Sequence, residues 1–441
     1  MRFVTCLFAA AAMLGTALPA AATPTLAEKA EIFAHDLEER FLYDGQVMCK
    51  RRLPTEAVPF VSYNMPDNAY MTGMYLGALS FQFAATGSGA VRSQAREALR
   101  AVQLLCTVSG ERGLLARAAV PMDADWHDDG IWRETEDGEY RWRGDVSSDQ
   151  MTGIFFGLAY AYSYIGSSSE KRRIGAMARA LVDHLEQNDW RIIGYDGEPT
   201  EWGRYDHEYV TTAEPMNALL LLQHLKVAAY VTEDPEYHAL YERMAFDEGY
   251  LDIAIEARRM RGPFPVNHSD DVLLYLAYAP LLGLMDDQHE VQAYIASLQR
   301  TWEGVEGAQG VKEERNPFFE LISRYYLSKY LPDEYDALGE GDEAILAPLR
   351  EFPFRMKWNR DTVEKYAEEF GFDPDEPVIS DEPGEGEAIP YDRRGKAWSA
   401  LVANPYRAGD NTVDEGMEYN GHDYLLSYWL ARMLEAAGPR D

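Results

Sequence analysis

Gly144-Asp145-Val146-Ser147-Ser148-Asp149-Gln150-Met151-Thr152-Gly153 opens an apolar run that continues to about Tyr164, and it has a near-copy earlier in the chain. Met151-Thr152-Gly153-Ile154-Phe155-Phe156-Gly157 matches Met71-Thr72-Gly73-Met74-Tyr75-Leu76-Gly77, which follows its own polar lead-in, Asp67-Asn68. In each copy two glycines stand four apart on one face of a helix, where the missing side chains admit a second helix at close range. Self-similarity of this kind predicts stacked helical hairpins. The polar residues that open each copy place chemistry at the N-terminal end of each apolar helix.

Outward from these copies, apolar residues recur at helical spacing and strand-like alternation is scarce. The pattern predicts helices over residues 25–42, 67–85, 91–108, 147–164, 169–188, 211–231, 235–259, 267–284, 289–302, 313–330, 341–349 and 420–434. Six of them are apolar behind polar starts, at Asp67, Asp149, Glu214, His268, Asn316 and Asp423. Their partners are amphipathic and charged. A closed double ring needs this alternation, because inner helices are covered on most sides and outer ones expose a face. The expected fold is all-α, an (α/α)6 toroid of about six helical hairpins with long irregular loops. The inner helices would then run parallel and bring six N-terminal ends to one face. Each end carries unsatisfied N–H groups and a positive partial charge.

The chain has 441 residues. Arg2, the apolar run from Phe3 to Leu18 and Ala20-Ala21-Ala22 form the pattern of a secretory signal, so residues 1–22 are expected to be removed and the rest exported to the periplasm or beyond. Residues 23–441 are expected to form one toroid domain, with 353–418, rich in Pro, Gly and acid, as a long excursion wrapped on it. The mature part keeps Cys49 and Cys106, compatible with one disulfide or two buried thiols. A net charge of −33 repels nucleic acid and anionic membrane. Neither is expected as a partner, and oligomeric state is left open. The 28 Tyr and 9 Trp suit both core packing and stacking on sugar rings.

In architecture the chain resembles the six-hairpin glycosidase-like (α/α)6 toroid superfamily. The stretches Asp145 to Gln150 and Tyr419-Asn420-Gly421-His422-Asp423-Tyr424 are similar to those of exported bacterial members. The resemblance implies a carbohydrate substrate and a class of chemistry, but assigns no catalytic residue.

Candidate chemistry collects at the helix starts and in the loops before them. Asp145 and Asp149 form a potential acid/base set, completed by Asp270 or Asp423 from another helix. The same region also has a structural reading, since Ser147-x-x-Gln150 is a capping box and acids favour a first helical turn. Thr211-x-x-Glu214 is a second such box, which makes Glu214 a cap. Asn267, His268, Asp270 and Asp271 form the densest polar cluster, with His268 as a proton shuttle and Asp271 as a cap to Asn267. Tyr140, Arg141 and Arg143 precede Asp145; their guanidinium forks suit a uronate carboxylate, or else pair with nearby acids. Trp126, Trp202, Arg204 and Tyr419 are expected at the substrate, with Asn68, Gln150 and Asn420 as polar contacts. No Walker loop, GxGxxG, HExxH or CxxC is present, so no cofactor and no metal is expected.

Three functions follow from this reading. The first is glycosidic cleavage by acid/base hydrolysis, with uronate-containing glycans among the substrates. The second is β-elimination by a polysaccharide lyase, with His268 or a Tyr as base. The third is a non-catalytic periplasmic glycan-binding or scaffold protein.

Overall fold

The computed structural model describes residues 23–124, 126–260, 267–285, 288–407 and 416–441. The signal-like segment and the Gly262-Pro263-Phe264-Pro265 break lie outside the described residues. Helices in chain order are α1 (Leu26–Asp36), α2 (Asn68–Thr86), α3 (Gly89–Thr107), α4 (Ser148–Tyr160), α5 (Ser168–Gln187), α6 (His207–Thr212), α7 (Met216–Thr232), α8 (Pro235–Glu242), α9 (Tyr250–Ile255), α10 (His268–Gly283), α11 (Gln288–Glu303), α12 (Pro317–Tyr330), α13 (Glu343–Glu351), α14 (Arg360–Phe370) and α15 (His422–Met433). None is long and apolar enough to cross a membrane.

Six of them close a ring: α2, α4, α7, α10, α12 and α15 touch in that order, and α15 returns to α2. Outside it, α1, α3, α5, the α8–α9 pair, α11 and α13 pack against the ring. The expected all-α toroid is therefore the fold. Burial separates the two rings as the patterning requires. In α7, Leu219 to Leu222 are all fully buried, so every side of the helix is covered, whereas α3 buries only one stripe, Val91, Ala95, Ala98, Leu99, Val102 and Leu105.

The glycine pairs do what their spacing suggested. A Cβ on Gly73 would stand 2.0 Å from the Gly153 carbonyl oxygen, and one on Gly157 would stand 2.6 Å from that of Gly73. The backbones of α2 and α4 touch there, so alanine at either position would force them apart. Within α10, Pro280 has no N–H to give to Leu276, four residues earlier. Gln223 of α7 donates to that carbonyl instead, at 3.1 Å, and ties two inner helices together.

Some sequence expectations need correction. Residues 207–232 are two helices, not one from 211, because Thr211 closes α6 and α7 begins at Met216. The Thr211 hydroxyl donates to the His207 carbonyl, so the expected capping box with Glu214 does not form. The predicted helix over 235–259 is broken, with Gly249 at φ 73° just before α9. The excursion holds a regular helix, α14, and α1 packs under it through Phe33, Phe354 and Trp358. Residues 113–145 hold the hairpin expected around Asp137-Gly138, with Trp132–Glu134 antiparallel to Tyr140–Arg143, and Ala118–Pro121 joins as a third strand. Cys49 and Cys106 are buried free thiols, and burial pushes the Cys106 thiol up to about 12.

Candidate active site

The N-terminal ends of the inner helices share one end of the ring, but their polar residues have different fates. At α2, Asp67 is the N-cap residue and faces Arg117 at 3.6 Å. Burial holds its carboxyl above the usual range, with the charges of Arg117, Lys50 and Arg143 opposing in part. Next to it, α4 starts with the capping box read from the sequence: Gln150 Oε1 accepts from the Ser147 N–H at 2.8 Å. The same Gln150 donates to Asp67 at 3.1 Å, so the cap of one inner helix also fixes the carboxylate of its neighbour. Asp149 follows. Burial pushes its carboxyl up, the charge of Asp67 adds to this, and Arg117 opposes it.

Two further carboxylates join from α7 and α10. Glu214, just before α7, pairs with Arg259 at 2.8 Å, and burial raises it. Asp270, in the first turn of α10, is pushed up to about 7, first by burial, then by the charges of Glu214, Asp149 and Asp271, with Arg259 opposing. Its Oδ1 accepts from the side-chain amide of Asn267 at 2.8 Å. Asp149, Glu214 and Asp270, each at the start of a different inner helix, thus share one electrostatic environment. A carboxyl held near 7 is about half protonated at neutral pH and can give its proton to a leaving group.

Other residues at this end are already engaged. Asp423 accepts from Lys357 Nζ at 2.6 Å and from the backbone N–H groups of Ala400 and Tyr424 at 2.6 and 3.0 Å. Burial pushes this carboxyl up, but Lys357 and then His422 hold it below the usual carboxylate range. Asp423 is thus a buried ion-pair partner, not the free second acid expected. Asp145 is not engaged through its carboxylate among the hydrogen bonds of the described residues. It is exposed, with φ 55°, and it is its carbonyl that Arg117 engages, at 2.5 Å. Asn68 is fully buried and accepts from the Cys49 N–H at 2.9 Å. Asn420 is equally buried; it donates to the Met48 carbonyl and accepts from His422. Tyr419 is buried in the strand Met417–Tyr419. Asn68 and Asn420 thus hold backbone where polar contacts to a ligand were expected, and Tyr419 is buried where a stacking surface was expected.

His268 Nδ1 stands 3.4 Å from Glu314 and 3.8 Å from Asp271, and the ligand atoms of the three lie within 4.8 Å of one another, a spacing compatible with a metal ion. However, Arg258 grips both oxygens of Asp271, at 2.6 and 3.1 Å, and reaches Glu314 at 3.9 Å. A guanidinium therefore already supplies the positive charge of this cluster.

The expected arginine forks are spent on acids. Arg143 holds Asp128 at 2.7 and 2.9 Å, and Arg204 holds Asp206 at 3.2 and 3.3 Å. Arg141 lies over the Trp126 ring, 4.5 Å from its centroid, beside Trp132. Tyr140 opens the same strand. Trp202 is 55% exposed on the strand Pro199–Arg204, and Tyr195 stands 53% exposed in the same hairpin. Four buried polar atoms on the inner helices near this end, Thr152 Oγ1, Asn217 Oδ1, His268 Nδ1 and His422 Nε2, have no hydrogen-bond partner among the described residues. Buried polar groups are seldom left so, and these four belong to the N-terminal parts of four inner helices.

Sequence reasoning missed Arg117 and Arg259, read Asp67 only as a polar helix start and underrated Glu214. Arg117 and Arg259 sit in connections with no motif around them. Glu214 was assigned to a cap that does not form.

No protein-family model matches the chain, and no curated protein matches it. Solved structures do. An α-1,6-mannanase from Salegentibacter sp. HEL1_6 matches at 10% identity over 93% of this chain and 99% of that one, with a TM-score of 0.44. An unsaturated glucuronyl hydrolase specific for heparin matches at 11% identity over 93% and 96%, with a TM-score of 0.45. A cellobiose 2-epimerase from Bacillus thermoamylovorans B4167 matches at 12% identity over 91% and 98%, with a TM-score of 0.41. At these identities the roles of residues are read from this chain alone. The ring fold likewise is read from this chain's own helix contacts.

Proposed function

We propose that the protein is an exported carbohydrate-active enzyme that cleaves glycosidic bonds by acid/base hydrolysis at the N-terminal end of the inner ring. The observation that carries this reading is the set Asp149, Glu214 and Asp270, in which Asp270 is held up to about 7. Asp270 is the general acid that protonates the leaving oxygen. Asp149, whose carboxyl is raised by burial and the Asp67 charge against the pull of Arg117, is the second carboxyl, which in its ionised form meets the developing positive charge or activates water. Trp202 and the Trp126–Arg141 pair are the ring-stacking surfaces in this reading. Residues 1–22 are the export signal in this reading.

Elimination is favoured less, because it needs a cation free to neutralise a uronate, and Arg143 and Arg204 are committed to Asp128 and Asp206. The test is to incubate the purified protein with neutral and uronate glycans while following reducing ends and the ultraviolet absorbance of an unsaturated product. New reducing ends without absorbance, lost in Asp270→Asn, are expected. Absorbance rising with the reducing ends would replace hydrolysis by elimination. Neither signal across the panel would leave the glycan-binding alternative in its place.

A further inference from the structure

The opposite end of the ring holds a cavity of about 210 Å³ formed by the last turns of α4, α10, α12 and α15. Helix α4 does not stop at Tyr160 but ends in a wide turn, Ala161–Ile165, which brings Ser163 and Tyr164 to the cavity wall. Such widened turns often mark functional positions. Tyr160 and Tyr326 are largely buried there, while Tyr164 and Tyr325 stand 41% and 38% exposed. The Tyr326 hydroxyl donates to the Ala279 carbonyl at 2.9 Å. No hydrogen bond from a described residue reaches the hydroxyls of Tyr160, Tyr164 or Tyr325. Three tyrosines from two inner helices thus offer unengaged hydroxyls to one small space. Burial raises the Tyr160 and Tyr164 hydroxyls, so both remain neutral and can donate as well as accept.

The lining also restricts charge. Among the described residues no carboxylate lines the cavity, and none of them offers a cation a counter-ion. Four helix C-termini present carbonyl oxygens and partial negative charge, which disfavours an anion. Among the described residues the one cation in the wall, Lys329, lies over the Tyr330 ring at 5.0 Å and offsets those ends. What remains is a neutral ligand with an apolar face for the tyrosine rings and hydroxyls for their edges. At about 30 Å³ per water, the cavity has room for about seven waters, roughly one six-membered ring with its substituents. We propose that this cavity binds a single neutral pyranose ring, held between Tyr164 and Tyr325 at the mouth and hydrogen-bonded to Tyr160. The site is at the far end of the ring from the carboxylates and does not depend on their assignment.

The test is a binding titration of the full chain with methyl α-glucoside, methyl α-mannoside, methyl β-galactoside and glucuronate, read by saturation-transfer NMR and calorimetry. At least one neutral glycoside should show a component that Tyr164→Ala and Tyr325→Ala each weaken about fivefold. The packing-conserving Tyr160→Phe should weaken it about threefold. The same component should survive Trp202→Ala and Asp270→Asn, which act at the other end. Because Tyr164 and Tyr325 are exposed, their truncation should leave the circular dichroism unchanged, and Tyr160→Phe gives an independent reading if it does not. The proposal is overturned if no glycoside component responds to the three tyrosine variants, or if glucuronate binds there as well as the neutral rings. Loss of all binding in Trp202→Ala alone would equally overturn it. A failure of hydrolysis in the earlier test leaves this result readable, since it measures binding and not turnover.

Discussion

Asp270 and Asp423 both lie in the first turn of an inner helix, yet they are driven in opposite directions. Asp270 faces Glu214 and Asp149 and is pushed up to about 7, whereas Asp423 is held below the usual carboxylate range by Lys357 and His422. Position at a helix N-terminus is common to both, so it does not explain the contrast. The excursion does. It delivers Lys357 and the Ala400 N–H onto the start of α15, and Leu401 and Arg394 onto the start of α12. Those two sectors are thereby closed and neutralised. The starts of α4, α7 and α10 keep an excess of carboxylates, and the proposed site lies to that side of the ring.

The contrast breaks first at the buried pair. Replacing Asp423 by Asn should strand the Lys357 ammonium, which is 0% exposed, and cost about 3–5 kcal/mol in a denaturant titration. Lys357→Met with Asp423→Leu should recover much of that loss; a double variant no more stable than the singles would show that more than the ion pair is at stake. Asp270→Asn should do the reverse, keeping the fold and lowering turnover by about a hundredfold or more. A variant of Asp270 with full activity would remove it as the acid.

The pH dependence sharpens the same comparison. A general acid must be protonated, so activity should fall as pH rises through about 7. Glu214→Gln removes a charge that raises Asp270 and should move this alkaline limb to lower pH. Arg259→Gln removes the opposing charge and should move it higher. Stability follows the same proton. Between the ordinary aspartate value of 3.8 and about 7, the unfolded chain releases it while the folded chain keeps it, so this group makes stability fall as pH rises. Asp270→Asn should therefore be more stable than the parent above pH 7, by thermal unfolding, even as it loses activity. Asp423 has the opposite sign: its depressed value gives stability that is present above the unfolded value and lost as pH falls through the folded one. The smallest effect is expected at the rim. Trp202→Ala should raise KM about three- to tenfold with kcat little changed, as loss of a stacking surface would.

Much of the fold was legible because its signal is local. The Met-Thr-Gly repeat set the close contact of α2 and α4, and the alternation of all-apolar and striped helices set inner against outer ring. Asp149 and Asp270 were legible as polar starts of apolar helices. Asn68, Asn420 and Asp423 had the same signature and turned out to be buried in hydrogen-bonded support, since a polar residue at a helix start looks the same from sequence whether its partner is substrate or protein.

The sequence by itself determined the ring, because burial periodicity is written into each helix and needs no distant residue to be read. Only the tertiary structure decided which acids are compensated. The cations that decide it come from afar in the chain: Lys357 is 66 residues from Asp423, and Arg259 is 45 residues from Glu214. Coulomb energy depends on distance in space and on burial, and no local pattern encodes either.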